Sequence, residues 1–184
     1  SESAGRNREM RITDLLDRRS ISLTGTPKSK SEALDQIIDL MIKSEKISDR
    51  EAYRQQVYAR EEESTTGIGE GIAIPHGKCD AVIKQGLAAM VVRDEFDSLD
   101  GKPVTLMFLI AAPNTEDNIH LDVLSKLSVL MMDENFADAL RNASDVDEFL
   151  AVIDKADDEQ EDIDERLADV SQPADADFKI LAVT

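Results

Sequence analysis

A glycine-rich segment that ends in Pro75, His76 and Gly77 constrains the fold of this chain more than any other feature. Glycines at positions 67, 69 and 71 permit unusual backbone angles, and the run from Ile72 to Ile74 has the β-branched character of a buried strand. Pro75 fixes φ and ends the strand ladder, so His76 is predicted at a strand end. Strand ends in α/β folds hold side chains rigidly yet accessibly, which makes His76 the first candidate for chemistry. The alternative is a structural histidine in a turn.

Helical and strand patterns alternate along the chain. The predicted elements are a helix after the capping box Ser29–Glu32, a helix after the capping box Ser48–Glu51, strands at 86–92 and 104–111, a helix after Asn118 and a helix after Ser144. Arg60 falls on the inward side of the second helix, near its end. Because helices alternate with apolar strands, we expect a layered α/β domain.

The charge and the cysteine content limit the class of function. A net charge of −18 disfavours nonspecific binding to nucleic acid or to anionic membrane surfaces. Cys79 is the only cysteine, so an internal disulfide is excluded. The sequence shows neither a signal segment nor an apolar run long enough to cross a membrane. We therefore expect a cytoplasmic protein that does not bind nucleic acid.

Four segments are predicted along the chain. Residues 1–9 are polar and without periodicity, which is typical of a leader or an expression remnant. The folded domain is predicted over residues 10–155. Residues 156–177 are acidic and contain a proline, which predicts a flexible linker with some helix in its middle. Residues 178–184 are apolar and β-prone, which predicts either the first strand of a following domain or an added strand of the preceding sheet.

His120, the only other histidine, lies in the predicted first turn of a helix. Free N–H groups and the positive dipole end at such a position favour a phosphate and disfavour a protonated imidazole. Arg60 would add a permanent cation whose donors match phosphate oxygens. Close to His76 in sequence are Thr65, Thr66 and Gly67. If the two histidines meet, an anion site forms; otherwise Arg60 is a surface side chain and His120 a helix-capping residue.

Other chemistries have weaker support. Zinc requires three or four ligands, but the chain offers two histidines and one cysteine without a paired spacing. Cys79 follows His76 by three residues, yet no protease or redox motif surrounds it, and a small core filler is the alternative. The alternating glycines precede a strand, so the usual nucleotide-binding signature is missing. We expect no metal and no cofactor, and a phosphoryl group would arrive on another protein.

The segment from Arg60 to Gly77 resembles the active-site motif of enzyme IIA domains of the fructose and mannitol class, from the bacterial phosphoenolpyruvate-dependent sugar phosphotransferase system. The resemblance continues through Gly101–Val104, Leu106–Pro113 and Asn118–Leu121. It implies an α/β fold with a mixed β-sheet flanked by helices on both faces, in three layers. Residues 179–184 resemble the opening strand of a fructose-type IIB domain, which implies a piece of a fused transporter and favours fructose.

The resemblance also implies a role for each matching residue. His76 would carry the phosphoryl group on Nε2, and His120 matches the second family histidine, which lies beside the first and helps to hold that group. Arg60 matches an arginine near the pair, and Thr65, Thr66 and Gly67 support the site. The implied donor is the histidine-containing phosphocarrier protein. The implied acceptor is a cysteine of an enzyme IIB domain, with a membrane permease domain in the full-length chain.

Three functions remain open from the sequence. The first is a phosphocarrier in sugar uptake. The second is a regulatory interaction module that signals through its phosphorylation state without transporting sugar. The third is a metal-assisted hydrolase that uses His76, Cys79 and His120.

Overall fold

A computed structural model describes the backbone of residues 11–97 and 103–183, with side chains described up to residue 94 and from 103 to 169. The helices are α1 (Ile12–Leu15), α2 (Lys30–Ile42), α3 (Arg50–Glu63), α4 (Ile119–Met131), α5 (Glu134–Arg141) and α6 (Val146–Val183). The strands are β1 (Leu16–Gly25), β2 (Gly67–Gly69), β3 (Ile72–Ala73), β4 (His76–Cys79), β5 (Gly86–Asp97) and β6 (Pro103–Pro113). The leader predicted at residues 1–9 lies outside the described residues.

One mixed sheet carries all six strands in the order β1-β5-β6-β3-β2, and β4 pairs with β6 beyond β3. The pairs β1/β5, β3/β6 and β4/β6 are parallel, whereas β5/β6 and β2/β3 are antiparallel. Helices α2 and α3 pack on one face over Ala88 and Met90, and α4, α5 and the start of α6 pack on the other face over Leu87 and Ala89. Successive residues of a strand point to opposite faces, so one sheet supports two cores. The predicted three-layer α/β class is therefore confirmed.

The predicted N-cap of α2, Ser29, is confirmed, but the predicted N-cap of α3, Ser48, is wrong by one residue. Ser29 caps α2, and its side chain accepts the backbone N–H of Glu32. The cap of α3 is Asp49, whose carboxylate accepts the N–H of Ala52 at 3.1 Å. Ser48 instead donates its hydroxyl to the carbonyl of Ala81 at 3.1 Å, because a neighbouring segment offers that acceptor.

The strands predicted at 86–92 and 104–111 are confirmed as the central strands β5 and β6. The prediction that Pro75 ends the ladder is wrong. The carbonyl of Pro75 accepts the N–H of Ile110 at 3.0 Å, and pairing with β6 resumes at once. A proline removes only a donor, so its acceptor can still bridge two short strands. His76 therefore begins strand β4 instead of following a strand end.

Strand β1 and helix α5 are among the elements that lie where none was predicted. Strand β1 forms the sheet edge next to β5, and the short helix α5 covers the face that α4 and α6 share. The burial of β1 does not alternate regularly, because its pairing with β5 shifts register twice. That irregularity removes the period-two signal by which a strand is recognised from its sequence.

The described backbone of the acidic segment is helical and continues as α6 to Val183, so the strand predicted at 178–184 is wrong. The segment 156–177, predicted as a linker with some helix in its middle, has a helical backbone throughout. Three of its acidic residues, Asp157, Asp158 and Glu161, form ion pairs with Lys126 or Arg11. Arg11 forms ion pairs with Asp154 at 3.2 Å and Asp158 at 2.8 Å. The division into a IIA domain, a linker and the beginning of a IIB domain stays a prediction.

Candidate functional site

Strand β4 brings His76 to the surface beside the beginning of α4. Gly77 turns the opposite way, toward α3, where an added Cβ would lie 3.0 Å from a methyl group of Val57 and 3.1 Å from the ring of Tyr53. The hydroxyl of Tyr53 donates to the carbonyl of Ile110 at 2.8 Å. Because neighbouring residues of a strand face opposite sides, close packing behind Gly77 aims His76 at the other side of the sheet.

The imidazole of His76 is partly buried, and one of its nitrogens is occupied. Nδ1 lies 3.1 Å from the backbone carbonyl of Ile74. Burial lowers the pKa of His76 below its ordinary value, and the cation of Arg60 lowers it further. The Ile74 carbonyl and the carboxylates of Glu61 and Glu63 oppose this shift of the pKa. The neutral imidazole is therefore the favoured form near neutral pH.

The structure brings the two histidines together. His120 lies in the first turn of α4, as predicted, and its ring centroid is 6.3 Å from that of His76, with the ring planes inclined by 39°. Burial, Lys78 and His76 lower the pKa of His120, in that order. Asn118 stands at the N-cap but makes no side-chain capping hydrogen bond, so the amides of this turn keep free donors.

The other predicted residues lie at the end of α3, in the loop that follows it and at the start of β2. The guanidinium of Arg60 donates to the carbonyl of Ser64 at 3.0 Å. Thr65 accepts the N–H of Gly67 on its hydroxyl at 3.1 Å, and Thr66 is buried. The two imidazoles lie beside the N-terminus of α4, and the charge of Arg60 is close enough to lower the pKa of His76. Such groups suit a small anion such as a phosphoryl group.

Two further residues belong to this site, and sequence reasoning missed both. Lys78 follows His76 by two positions on β4, so both side chains share a face, and its charge contributes to the lowered pKa of His120. Glu61 is buried beneath the loop, beside Arg60. Because alternate residues of a strand share a face, Lys78 could have been predicted from its spacing to His76. No local sequence pattern predicts the burial of Glu61.

Cys79 does not join the histidines. It lies three positions from His76, on the opposite face of β4, and packs against the apolar core under α2 and α3. Among the side chains that the structure describes, at 11–94 and 103–169, no group of three or more His, Cys, Asp or Glu is placed to hold a metal ion. Among the same residues, no helix is long and apolar enough to span a membrane.

The sequence matches the family described as "Phosphoenolpyruvate-dependent sugar phosphotransferase system, EIIA 2" over residues 14–156. The chain belongs to this family of phosphotransferase components, which confirms the predicted resemblance and the predicted enzyme class. The matched range begins before β1 and ends within α6. It therefore contains all strands of the sheet together with Arg60, His76 and His120.

Curated relatives carry both transport and regulatory names. The chain is 41% identical over 150 residues to the fructose-specific EIIABC component of Bacillus subtilis. The matched region is 80% of this chain but only 24% of that protein. It is 38% identical over 125 residues to the fructose-specific EIIA component of Haloferax volcanii, covering 67% of this chain and 81% of that protein. It is 34% identical over 146 residues to a nitrogen regulatory protein of Bradyrhizobium diazoefficiens, covering 78% and 95% respectively.

Solved structures show the same fold. The nitrogen regulatory protein IIA-Ntr of Neisseria meningitidis superposes with a TM-score of 0.71 at 29% identity, covering 77% of this chain and 98% of that one. The mannitol enzyme IIA of Escherichia coli, in complex with phosphorylated enzyme IIB, superposes with a TM-score of 0.66 at 26% identity, covering 77% and 99%.

Proposed function

We propose that this chain is a cytoplasmic phosphocarrier in which Nε2 of His76 accepts a phosphoryl group from the histidine-containing phosphocarrier protein. The group then passes to a cysteine of an enzyme IIB domain, for uptake of a sugar through a membrane permease domain. The observation that carries the proposal is the contact between Nδ1 of His76 and the Ile74 carbonyl. A carbonyl oxygen can only accept, so the proton of the neutral ring lies on Nδ1 and the lone pair on Nε2 is free to attack.

Each transfer exchanges one bond to phosphorus for another. In the first step, the bond from phosphorus to the donor's ring nitrogen breaks as the bond to Nε2 of His76 forms. In the second step, that bond breaks as a bond to the sulfur of the IIB cysteine forms. Attacking and leaving atoms stand roughly in line, and negative charge spreads over three oxygens. The guanidinium of Arg60 and the free N–H groups in the first turn of α4 are the groups proposed to stabilise that charge. Thr65, Thr66 and Gly67 are proposed to support the loop that holds Arg60.

We assign His120 a donor role from its surroundings. Its Nδ1 is buried and meets no hydrogen-bond partner among the described residues. A buried donor without an acceptor costs about 1–3 kcal/mol, so the proton of the neutral ring belongs on Nε2. From there it can donate to an oxygen of a phosphoryl group on His76. Replacement of His120 by alanine should therefore slow transfer more than it weakens donor binding.

The sugar proposed is fructose. Support comes from the names of the fructose-specific relatives in Bacillus subtilis and Haloferax volcanii. The chain matches about a quarter of the Bacillus component, so the IIB and permease partners are inferred from that protein's composite name.

Intact mass after incubation with phosphoenolpyruvate, enzyme I and the phosphocarrier protein tests the proposal. We expect one acid-labile phosphoryl group on the natural chain and none on His76→Ala. An equal increment on His76→Ala would move the acceptor to another residue. The absence of any increment, with a donor verified as phosphorylated, would reject the phosphocarrier function.

A regulatory role is the second candidate, favoured by the match that covers 95% of a nitrogen regulatory protein. Both functions use a phosphorylated His76, and they differ in where the group goes next. Incubation of the phosphorylated chain with a fructose-type IIB domain separates them. Rapid transfer to the IIB cysteine supports transport, whereas a stable phosphohistidine that alters binding to another protein supports regulation.

A further inference from the structure

Glu61 is a buried carboxylate directly beneath the phosphoryl-transfer site. It follows Arg60 on α3, and only 5% of its surface is exposed. Among the charged side chains that the structure describes, Asp157 is the only other one buried to this degree. A carboxylate withdrawn from water requires compensating partners, so its contacts show what its burial stabilises.

Three donors surround the carboxylate. The hydroxyl of Thr66 donates to Oε1 at 2.5 Å, and the backbone N–H of Thr66 donates to Oε2 at 3.1 Å. Nζ of Lys30, on α2, lies 2.9 Å from Oε2 and forms an ion pair with it. Glu61 thus binds one residue of the loop after α3 twice and ties that loop to a second helix.

A short series of backbone hydrogen bonds connects Thr66 to the reactive imidazole. The carbonyl of Thr66 accepts the N–H of Ile74 at 3.0 Å. The carbonyl of the same Ile74 accepts the proton on Nδ1 of His76, with the two atoms 3.1 Å apart. The orientation of the ring therefore depends on Ile74, and the position of Ile74 depends on Thr66.

The same loop also holds the cation of the site. Arg60 precedes Glu61, and its guanidinium donates to the carbonyl of Ser64 at 3.0 Å, two residues before Thr66. Displacement of the loop would therefore move the acceptor that holds Arg60 and the peptide that holds Ile74 together.

We propose that Glu61 is a positioning residue for phosphoryl transfer, which it serves by fixing Thr66 and, through Ile74, the imidazole of His76. This inference rests on the proposed phosphocarrier function and adds a residue that never touches the phosphoryl group. Lys30 forms an ion pair with the buried carboxylate, and the two hydrogen bonds from Thr66 to that carboxylate fix the position of the loop. A misplacement of about 1 Å at a reacting group can slow a reaction by about a hundredfold, so small displacements of this loop matter.

Glu61 also has an electrostatic effect that its removal would reveal. Its carboxylate and that of Glu63 raise the pKa of His76, against burial and against Arg60. On the neighbouring His120, Lys78 lowers the pKa and Asp122 raises it. Substitution of Glu61 by glutamine should therefore lower the pKa of His76 further. The lowered pKa reports the lost charge, whereas a lower maximal rate at an almost unchanged half-saturating donor concentration reports the displaced loop.

The test compares Glu61→Gln with Glu62→Gln, which removes the same charge from an exposed position on the same helix. Rapid-quench transfer from the phosphorylated phosphocarrier protein gives the maximal rate and the donor concentration at half that rate. The Cε1 proton resonances of the two histidines give both pKa values. For Glu61→Gln we expect a maximal rate lower by about tenfold to a hundredfold, an almost unchanged half-saturating concentration and a lower pKa of His76. For Glu62→Gln we expect the natural values.

Thr66 supplies a second pair of variants in case Glu61→Gln folds poorly. Thr66→Ser keeps the hydroxyl that donates to Glu61 and should retain most of the rate, whereas Thr66→Val removes it and should slow transfer. A wild-type rate in Glu61→Gln, or equal rates in the two Thr66 variants, would overturn the positioning role. Failure of the proposed function has a different signature, because the natural chain itself would then not be labelled on His76.

Discussion

Two buried carboxylates, Glu61 and Asp157, have closely similar surroundings yet stabilise different parts of the molecule. Each accepts a backbone N–H and forms an ion pair with one lysine. The lysines are Lys30, 2.9 Å from Glu61, and Lys126, 2.8 Å from Asp157, and each lysine side chain is 20% exposed. Glu61 also accepts the hydroxyl of Thr66, but the main difference between the two clusters lies in what each connects.

Glu61 closes a short loop, because its backbone partner Thr66 lies five residues further along the chain. Asp157 binds the N–H of Ile12, 145 residues away, and Lys126 on α4. The first cluster fixes peptides next to His76, and the second joins the beginning of the domain to α6. We therefore expect loss of Glu61 to affect transfer, and loss of Asp157 to affect the free energy of unfolding.

The largest effect on stability is expected for Asp157→Asn. The amide can still accept from Ile12, but the charge opposite Lys126 is lost, and breaking a buried pair costs about 3 kcal/mol. Urea unfolding measures this loss, with the exposed Asp162→Asn as the control expected within about 0.5 kcal/mol. Transfer per folded molecule should be unchanged. A rate lowered as far as that of Glu61→Gln would remove the distinction between the two carboxylates.

A smaller effect is expected for Arg11→Gln, which removes the ion pairs with Asp154, Asp158 and Glu161 on α6. These carboxylates are 39–65% exposed, so water and salt screen the pairs, and the unfolding free energy should fall by only about 1 kcal/mol. High salt should reduce the difference between Arg11→Gln and the natural chain. A difference that persists in high salt would show that Arg11 acts through packing instead.

Substitution of Asp157 is expected to have no effect on the site, and the pKa values of the two histidines test this. Both imidazoles should titrate below the ordinary value near 6.5, because burial disfavours their protonated forms. Transfer needs neutral His76, so its rate should hold down to pH 6.5 and fall only as the pH drops through the lowered pKa. Asp157→Asn should leave both pKa values in place. A histidine that titrates above 6.5 would contradict the burial of its ring.

The sequence predicted the centre of the fold better than its edges. The apolar runs of β5 and β6 and the stripes of α2 and α4 are strong periodic signals, and they are confirmed. Strand β1 was missed because two register shifts break its alternation. Residues 156–177 were taken as a linker because composition shows charge but cannot show that Arg11, far away in sequence, meets that charge.

The candidate site divides in the same way. His76, His120 and Arg60 were predicted from a local motif, and the 6.3 Å between the two rings brings the histidines together as expected. Their catalytic roles stay predictions until transfer is measured. Glu61 was missed because its burial depends on Lys30 from another helix, and no pattern within α3 distinguishes it from its exposed neighbour Glu62.

Two residues of helix α3 contact the site, and any tilt of the helix moves one relative to the other. Tyr53 packs behind Gly77 near the start of the helix, and Arg60 lies near its end. Seven residues of rise separate them by about 10 Å, so a tilt of about 5° at Tyr53 would displace the backbone of Arg60 by about 0.9 Å. The position of the Arg60 charge relative to the imidazole of His76 therefore depends on how firmly the orientation of α3 is fixed.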